Sequence, residues 1–196
     1  MATVTEVYER ALALYDEISK TGTIDAGKTA DYRARAPRIV DLLQKELIAK
    51  DSIQKIYEYA YVADSTLPWV VQTLPSDFDS LVEVILSITG NNYYVYTDYL
   101  LERDGNTYSL YLMYPNDCTV RVKYKFIPTT ITAITDALQV DEITAQAISY
   151  GLCKWFAVSE QNEFVASYCE NKFNELKVDN RSRRVARTED IIDVYR

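Results

Sequence analysis

Carboxylates are the main candidates for acid–base chemistry in this sequence, which contains no histidine. Without histidine the chain lacks the commonest general base, the usual partner of a serine or cysteine nucleophile, and the usual imidazole ligand of zinc. A glycosidase needs two carboxyl groups about 5–10 Å apart, and the candidate pairs are Asp77 with Asp79 and Asp98 with Glu102. Each pair is adjacent on a predicted turn or strand. We therefore interpret these acids as solvated side chains and turn formers.

The remaining motifs favour neither a nucleotide site nor a metal site. Residues 27–29 (Gly-Lys-Thr) resemble the end of a phosphate-binding loop but lack its upstream glycine and a preceding strand. Cys118, Cys153 and Cys169 are too few and too scattered for a zinc site or a disulfide framework. Cys153 and Cys169 lie on successive predicted helices and could approach each other, although buried free thiols are the expected state. We expect no catalytic residue, cofactor or metal, and hence no enzyme.

Composition points to an ordinary globular protein with an acidic surface. The 196 residues are 48% hydrophobic and 26% charged, with a net charge of −8, and they suffice for one domain or a core domain with one insertion. An acidic chain is a poor general binder of duplex DNA. No secretory leader and no apolar run of about 18 residues is found. We expect a soluble protein that is made in a reducing cytosol and does not enter a membrane.

Helical periodicity marks both ends of the chain. Thr3 and Glu6 form a predicted capping box at the start of the first helix. A second amphipathic helix is predicted at about 29–49, with a kink or break just before Pro37. Asp141 is the predicted N-cap of a broadly apolar third helix. The last helix runs to about residue 178, and its apolar residues are Phe164, Tyr168, Phe173 and Leu176.

The middle of the chain alternates at the two-residue period of a strand. Residues 104–105 (Asp-Gly) give the strongest hairpin signal. The clearest strand places Val120, Val122, Tyr124 and Phe126 inward and Thr119, Arg121, Lys123 and Lys125 outward. The predicted fold class is α+β, mainly an α-helical bundle with an inserted antiparallel β-sheet or β-sandwich-like subdomain. Its divisions are N-terminal bundle helices (1–52), the β subdomain (53–127), a helical hairpin completing the bundle (128–178) and a docking tail (179–196).

Two charged segments are candidate interaction sites. The outward row on the clearest strand could contact a phosphate backbone or an acidic partner, or it could be a solvated face that lysine guards against edge pairing. The tail has the composition of a segment that orders on a partner, although a frayed terminus is the alternative. The row consists of Arg121, Lys123 and Lys125, and the tail residues are Arg181, Arg183, Arg184, Arg187, Ile191, Ile192, Val194 and Tyr195.

Four stretches of the chain share a pattern with one known family. They are residues 22–47, residues 74–84, residues 135–177 with the helix start Asp-Glu-Ile-Thr-Ala-Gln-Ala, and the closing Asp193-Val194-Tyr195. Through them the chain resembles, over nearly its whole length, the head-to-tail connector proteins of tailed bacteriophages, also called adaptor or head-completion proteins. The matches contain no catalytic signature, and Ser149 stands where similar sequences often carry proline.

The resemblance implies a virion structural protein without enzymatic activity. Such proteins form a ring, here expected to be a dodecamer, that lies beneath the portal, extends the DNA channel and presents a surface to a tail or further connector protein. They are assembled in the host cytoplasm and end at the head–tail junction. By position, the tail arginines and residues 191–195 would dock on the portal protein. Negative charge lining the channel would let duplex DNA slide.

An alternative function is a carbohydrate- or surface-binding module. Seventeen tyrosines are an unusually high number for 196 residues, and many fall in the predicted β subdomain. Tyrosine suits binding surfaces because it combines a large apolar ring with a polar hydroxyl. Strand propensity alone would also place tyrosine there.

Overall fold

The computed structural model describes residues 2–19, 22–51, 53–64, 66–67, 69–88 and 92–177. They form four helices and two antiparallel sheets, with 44% helix and 29% strand, so the α+β class is confirmed. The chain divides into two compact units. We call them the helical unit, which comprises Met1–Asp51 and Pro128–Arg196, and the β unit, which comprises Ser52–Ile127. The predicted docking tail, with all eight of its proposed contact residues, lies outside the described residues.

The helical unit contains α1 (Val4–Ile18), α2 (Ala26–Asp51), α3 (Glu142–Ser159) and α4 (163–177). The capping box at α1 is confirmed, because the Thr3 hydroxyl accepts a hydrogen bond from Glu6 N at 3.3 Å and the Glu6 carboxylate accepts one from Thr3 N at 2.8 Å. The N-cap of α3 is confirmed as well, since Asp141 Oδ1 accepts from Thr144 N at 2.8 Å. Both caps satisfy amide groups that have no partner inside the helix.

Helix α2 differs from its prediction at two places. It begins at Ala26, before the predicted start at about residue 29, because the Asp25 carboxylate accepts from Gly27 N at 2.8 Å and so caps the first turn. It also continues through Pro37 without interruption, so of the predicted kink or break at this position the break is wrong. Ala36 and Val40 are fully buried on either side of the proline, and their packing holds the helix together despite the lost backbone hydrogen bond.

Phe156 of α3 lies at the centre of the helical core. Its ring stacks on Tyr32 of α2 with centroids 5.2 Å apart and meets Tyr8 of α1 edge-on at 5.9 Å. All three side chains are buried. A second close approach occurs at Gly151, where an added Cβ atom would lie 2.9 Å from Leu43 Cδ1 and 3.4 Å from Phe173 Cδ2. The absence of a side chain at Gly151 therefore lets α2 and α4 approach α3 closely.

The buried residues of α4 are not its largest apolar side chains but the residues that directly follow them in the sequence. Val165 and Cys169 are fully buried, whereas Phe164 is 60% exposed and Tyr168 is 39% exposed. Both pairs have the same i, i+4 spacing, so the hydrophobic period alone does not distinguish them. The choice is made by the tertiary fit against α3, where the smaller side chains pack.

Residues 128–141 form neither helix nor strand and connect the β unit to α3. Hydrogen bonds join this segment to the rest of the helical unit. Val4 N donates to Asp136 O at 2.9 Å, and Leu138 N donates to Ala2 O at 2.8 Å. On the other side, the Asp41 carboxylate accepts from Ile131 N at 3.0 Å. These bonds give an otherwise irregular segment a fixed path across α1 and α2.

The described residues of the β unit form seven strands in two antiparallel sheets. The first sheet has the order β1-β7-β3-β4, and the second has the order β2-β6-β5. The predicted hairpin is confirmed, because Asp104 pairs with Thr107 and Gly105 between them has a φ of 59°. The strands are β1 (Gln54–Tyr61), β2 (Val70–Thr73), β3 (Phe78–Ile88), β4 (Asn92–Val95), β5 (Tyr99–Asp104), β6 (Thr107–Leu112) and β7 (Cys118–Phe126).

The alternation predicted for β7 is confirmed: its four inward side chains are buried and its outward ones are half-buried or exposed. Side chains of the two sheets contact each other. Gln72 of β2 donates to the Tyr57 hydroxyl of β1 at 3.0 Å, and the rings of Phe78 and Tyr108 lie 4.7 Å apart. The inner faces of the two sheets thus shield each other from water.

The first and last strands of the β unit pair with each other. Gln54 of β1 lies opposite Lys125 of β7, and the antiparallel pairing continues to Tyr61 and Cys118. The chain therefore enters and leaves this unit at neighbouring strand ends. This arrangement permits a whole unit to be inserted into a loop of another without separating the residues on either side of the insertion.

Candidate interaction surfaces

Asp77, one of the carboxylates considered for catalysis, is engaged in structural contacts. Asp77 accepts from Lys55 Nζ at 2.6 Å and from the Tyr124 hydroxyl at 3.0 Å. Burial, followed by the hydrogen bond to Asp77, raises the pKa of Tyr124 to about 12. Lys55 also lies over the ring of Phe126, 4.1 Å from its centroid. The Lys55–Asp77–Tyr124 group therefore fixes the start of β1 against β7, with the tyrosine neutral at physiological pH.

Other acidic side chains also form ion pairs or accept hydrogen bonds. Glu142 pairs with Arg10 at 2.7 Å, and Asp31 pairs with Arg35 at 3.0 Å. A hydrogen bond to Glu102 raises the pKa of Tyr111. In the part of the chain that the structure describes, no group of three or more histidine, cysteine or acidic side chains could hold a metal ion. None of the described helices combines the length and apolar character that crossing a bilayer requires.

The predicted cationic row on β7 is largely neutralised by the neighbouring strands. Arg121 pairs with Glu58 of β1 at 2.6 Å and lies over the ring of Tyr93, and Lys123 pairs with Glu83 of β3 at 3.2 Å. Lys125, the third member, is exposed and takes part in none of the ion pairs described. The outer face of this sheet thus presents alternating charges, which suit a protein partner of mixed charge better than a phosphate backbone.

The tyrosines of the β unit contact one another. Tyr114 is central to one group: Tyr61, Tyr94 and Tyr96 have ring centroids 6.5, 6.2 and 5.9 Å from it. The Tyr61 hydroxyl donates to Tyr114 O at 3.0 Å, and that of Tyr96 donates to Met113 O. Each of the eleven tyrosines in this unit is buried or half-buried. A carbohydrate site would need aromatic rings exposed in a groove, so this arrangement gives that alternative little support.

A hydrophobic row that sequence reasoning missed crosses the outer face of the second sheet. Val71 and Leu100 lie opposite Tyr111 on its two sides, and they are 51% and 47% exposed. Met113, also exposed, continues the row along the chain. We call Val71, Leu100, Tyr111 and Met113 the outer row. The signal was present in the alternation of β6, because Tyr111 and Met113 are out of phase with the buried Leu110 and Leu112.

A largely buried carboxylate, that of Glu160, lies at the end of α3 in the helical unit. Glu160 accepts from Lys28 Nζ at 2.7 Å and from the Tyr32 hydroxyl at 2.5 Å. Only 15% of the Glu160 side chain is exposed. The hydrogen bonds from Lys28 and Tyr32 hold the pKa of Glu160 below its ordinary value, whereas burial and the bond to Glu160 raise that of Tyr32 to about 12. This contact joins the first turns of α2 to the α3–α4 connection.

The low pKa of Glu160 predicts acid-dependent stability. The unfolded chain takes up this proton at a higher pH than the folded chain, so the contribution is complete above the ordinary pKa of 4.5 and is lost as the pH falls through the folded value. We expect the difference in thermal midpoint between wild type and Glu160→Gln to shrink from pH 6 towards pH 3. The exposed Glu163→Gln is the control, and its midpoint at pH 6 should differ from wild type by less than that of Glu160→Gln. A difference independent of pH would contradict this assignment.

No protein-family model matches the chain, and no curated protein matches it at a significant level. The function must therefore be inferred from the residues and surfaces described above.

Proposed function

We propose that this chain is a virion structural protein of a tailed bacteriophage that forms a ring beneath the portal and connects head to tail. In this proposal α1 to α4 act as a helical bundle, and the two sheets act as an inserted β-sandwich-like subdomain. The contacts of Phe156 with α1 and α2 support the bundle, and the contacts between the two sheets support the sandwich. The ring is expected to be dodecameric, as the resemblance implies.

The observation that carries the proposal is the insertion of one compact unit into another. The β unit leaves and rejoins the helical unit at paired strands, Gln54 facing Lys125. Such a protein can pack against its neighbours through one unit and present the faces of the other to a different partner. This is the layout that the resemblance implies for a connector, with the portal on one side and a tail or further connector protein on the other.

Charge supports the same function. The net charge is −8, although Arg181–Arg187 alone holds four arginines, so the remainder is more acidic than the total indicates. Copies arranged around a channel would present negative charge to duplex DNA and disfavour its adhesion. The alternating charges on β7 and the outer row are the proposed contact surfaces for a neighbouring copy, because complementary charges and exposed apolar side chains both occur in protein interfaces.

The tail provides the direct test. Removing residues 179–196 is expected to abolish binding to the purified portal protein, since it removes both the arginines and the apolar cluster. The double substitution Ile192→Ala and Tyr195→Ala should weaken binding by at least about tenfold, as for loss of two apolar anchors. The double substitution Thr188→Ala and Glu189→Ala, in the same tail, is the matched control. Native mass measurement of each mixture gives the bound fraction.

Equal portal binding by the full chain and the truncated chain would remove the tail from the proposal. Electron microscopy of the protein alone and with the portal tests the ring itself. Rings on the portal support the connector function, whereas a protein that stays monomeric in the presence of portal contradicts it.

A further inference from the structure

Two thiols meet inside the helical hairpin formed by α3 and α4. The Sγ atoms of Cys153 and Cys169 are 3.1 Å apart, and both side chains are fully buried. Each cysteine is a free thiol. A disulfide has an S–S distance of about 2.05 Å, so the two sulfur atoms need to approach by only about 1 Å more to form one. The third cysteine, Cys118, is half-buried in the β unit.

The hairpin keeps the two thiols facing each other. Lys154 and Glu170, the residues that follow the two cysteines, form an ion pair at 2.7 Å. The two helices are therefore held side by side at this level of the hairpin. At the turn between the helices, Asn162 N donates to Ala157 O at 2.8 Å and closes the connection. Three buried residues of the same two helices, Ser149, Ala157 and Val165, are small or β-branched. The facing of the thiols is therefore a property of the packed hairpin.

We infer that Cys153 and Cys169 form an oxidation site that hydrogen peroxide converts into an intramolecular disulfide linking α3 to α4. One cysteine, as its thiolate, attacks a peroxide oxygen; an S–O bond forms, the O–O bond breaks, and water leaves after protonation. The second thiol then attacks the resulting sulfenic sulfur, so that the S–S bond forms, the S–O bond breaks and a second water leaves. The two thiols lose two protons and two electrons in total, and hydrogen peroxide takes them up to become two waters.

Burial of the two thiols slows this reaction, and their closeness favours a disulfide as its product. A thiolate is the reactive form, and a buried thiol resists both ionisation and contact with an oxidant. Oxidation therefore requires local opening of α4, the last described helix, and becomes faster in urea concentrations below those that unfold the protein. Once opened, the hairpin brings the sulfenic acid back beside its partner thiol. A disulfide then forms in preference to further oxidation.

Peptide mapping of the full-length protein tests the inference. The protein is treated with hydrogen peroxide in low urea, its remaining thiols are alkylated, and it is digested with trypsin. Cleavage after Lys154 separates the two cysteines, so a disulfide joins peptide 126–154 to peptide 155–172, and Cys118 stays on peptide 104–121. We expect the intact chain to lose the mass of two hydrogen atoms and these two peptides to be joined. The thermal midpoint should rise by about 5 °C, because the cross-link restricts the unfolded chain.

Two variants distinguish a specific Cys153–Cys169 disulfide from non-specific oxidation of cysteines. Cys118→Ser should form the same cross-link as wild type, whereas Cys169→Ser should form none. The inference is overturned if the wild-type thiols are recovered free after the treatment, if they appear as sulfinic or sulfonic acids, or if Cys118 supplies the bridge. The mapping on wild type gives this answer whether or not either variant folds.

Discussion

Replacing Phe156 with alanine is expected to lower the free energy of unfolding of the helical unit by about 3–5 kcal/mol, the usual cost of deleting a large buried aromatic side chain. Phe156 is fully buried and its ring contacts Tyr8 and Tyr32. Its removal leaves a cavity that three helices border, and those helices cannot all move inward at once. Urea unfolding followed by far-ultraviolet circular dichroism, which reports mainly on the helices, measures the change.

Val158→Ala is the matched control for this prediction. Val158 lies two residues further along the same helix, but it is 60% exposed. Its truncation should change the free energy of unfolding by no more than about 0.5 kcal/mol. Equal losses for the two variants would mean that Phe156 does not occupy the centre of the core.

Features set by neighbouring residues could be predicted from the sequence. The capping box at Thr3 and Glu6, the N-cap at Asp141 and the Asp-Gly hairpin each depend on a few adjacent residues, so their chemistry appears directly in the sequence. The alternation of β7 is equally local. The division into a helical and a β-rich part follows because these periods differ.

Features set by distant contacts could not be predicted. Arg121 is paired with Glu58, which lies 63 residues earlier, so the cationic row was predicted without its counter-charges. The face of α4 was ambiguous because two apolar pairs have the same spacing. At Pro37, packing on both sides outweighs a local signal that usually ends a helix. The alternation of β6 indicates the outward position of Tyr111, but only strand pairing shows that Val71 and Leu100 lie beside it in the outer row.

The segment 128–141 is the clearest case of a path that local sequence does not specify. It contains no helix or strand, and α2 supplies acceptors for two of its backbone amides: Asp41 for Ile131 N at 3.0 Å and Gln44 for Gln139 N at 2.8 Å. These partners are 90 and 95 residues apart. A polar side chain buried on a helix is therefore a structural anchor here, a role that periodicity analysis cannot assign.

Asp41→Ala is expected to lower the free energy of unfolding by about 2–4 kcal/mol, because it leaves the buried amide of Ile131 without an acceptor and removes the partner of Lys45. Only 11% of the Asp41 side chain is exposed, and its second oxygen accepts from Lys45 Nζ at 2.7 Å. Asp41→Asn keeps an acceptor for Ile131 N and should cost less than the alanine substitution. Chemical denaturation of both variants measures two contributions to the free energy of unfolding: the hydrogen bond to Ile131 N, and the charge that pairs with Lys45.

Asp31→Ala is the control, because it breaks an i, i+4 pair of the same kind on the same helix. Asp31 and Arg35 are 50% and 60% exposed, and an exposed pair of this type contributes about 0.5 kcal/mol or less. A loss at Asp41 no larger than the loss at Asp31 would show that the hydrogen bond to Ile131 N does not hold the segment in place. A large loss confined to Asp41 would show that α2 fixes the path by which the chain returns from the β unit to α3.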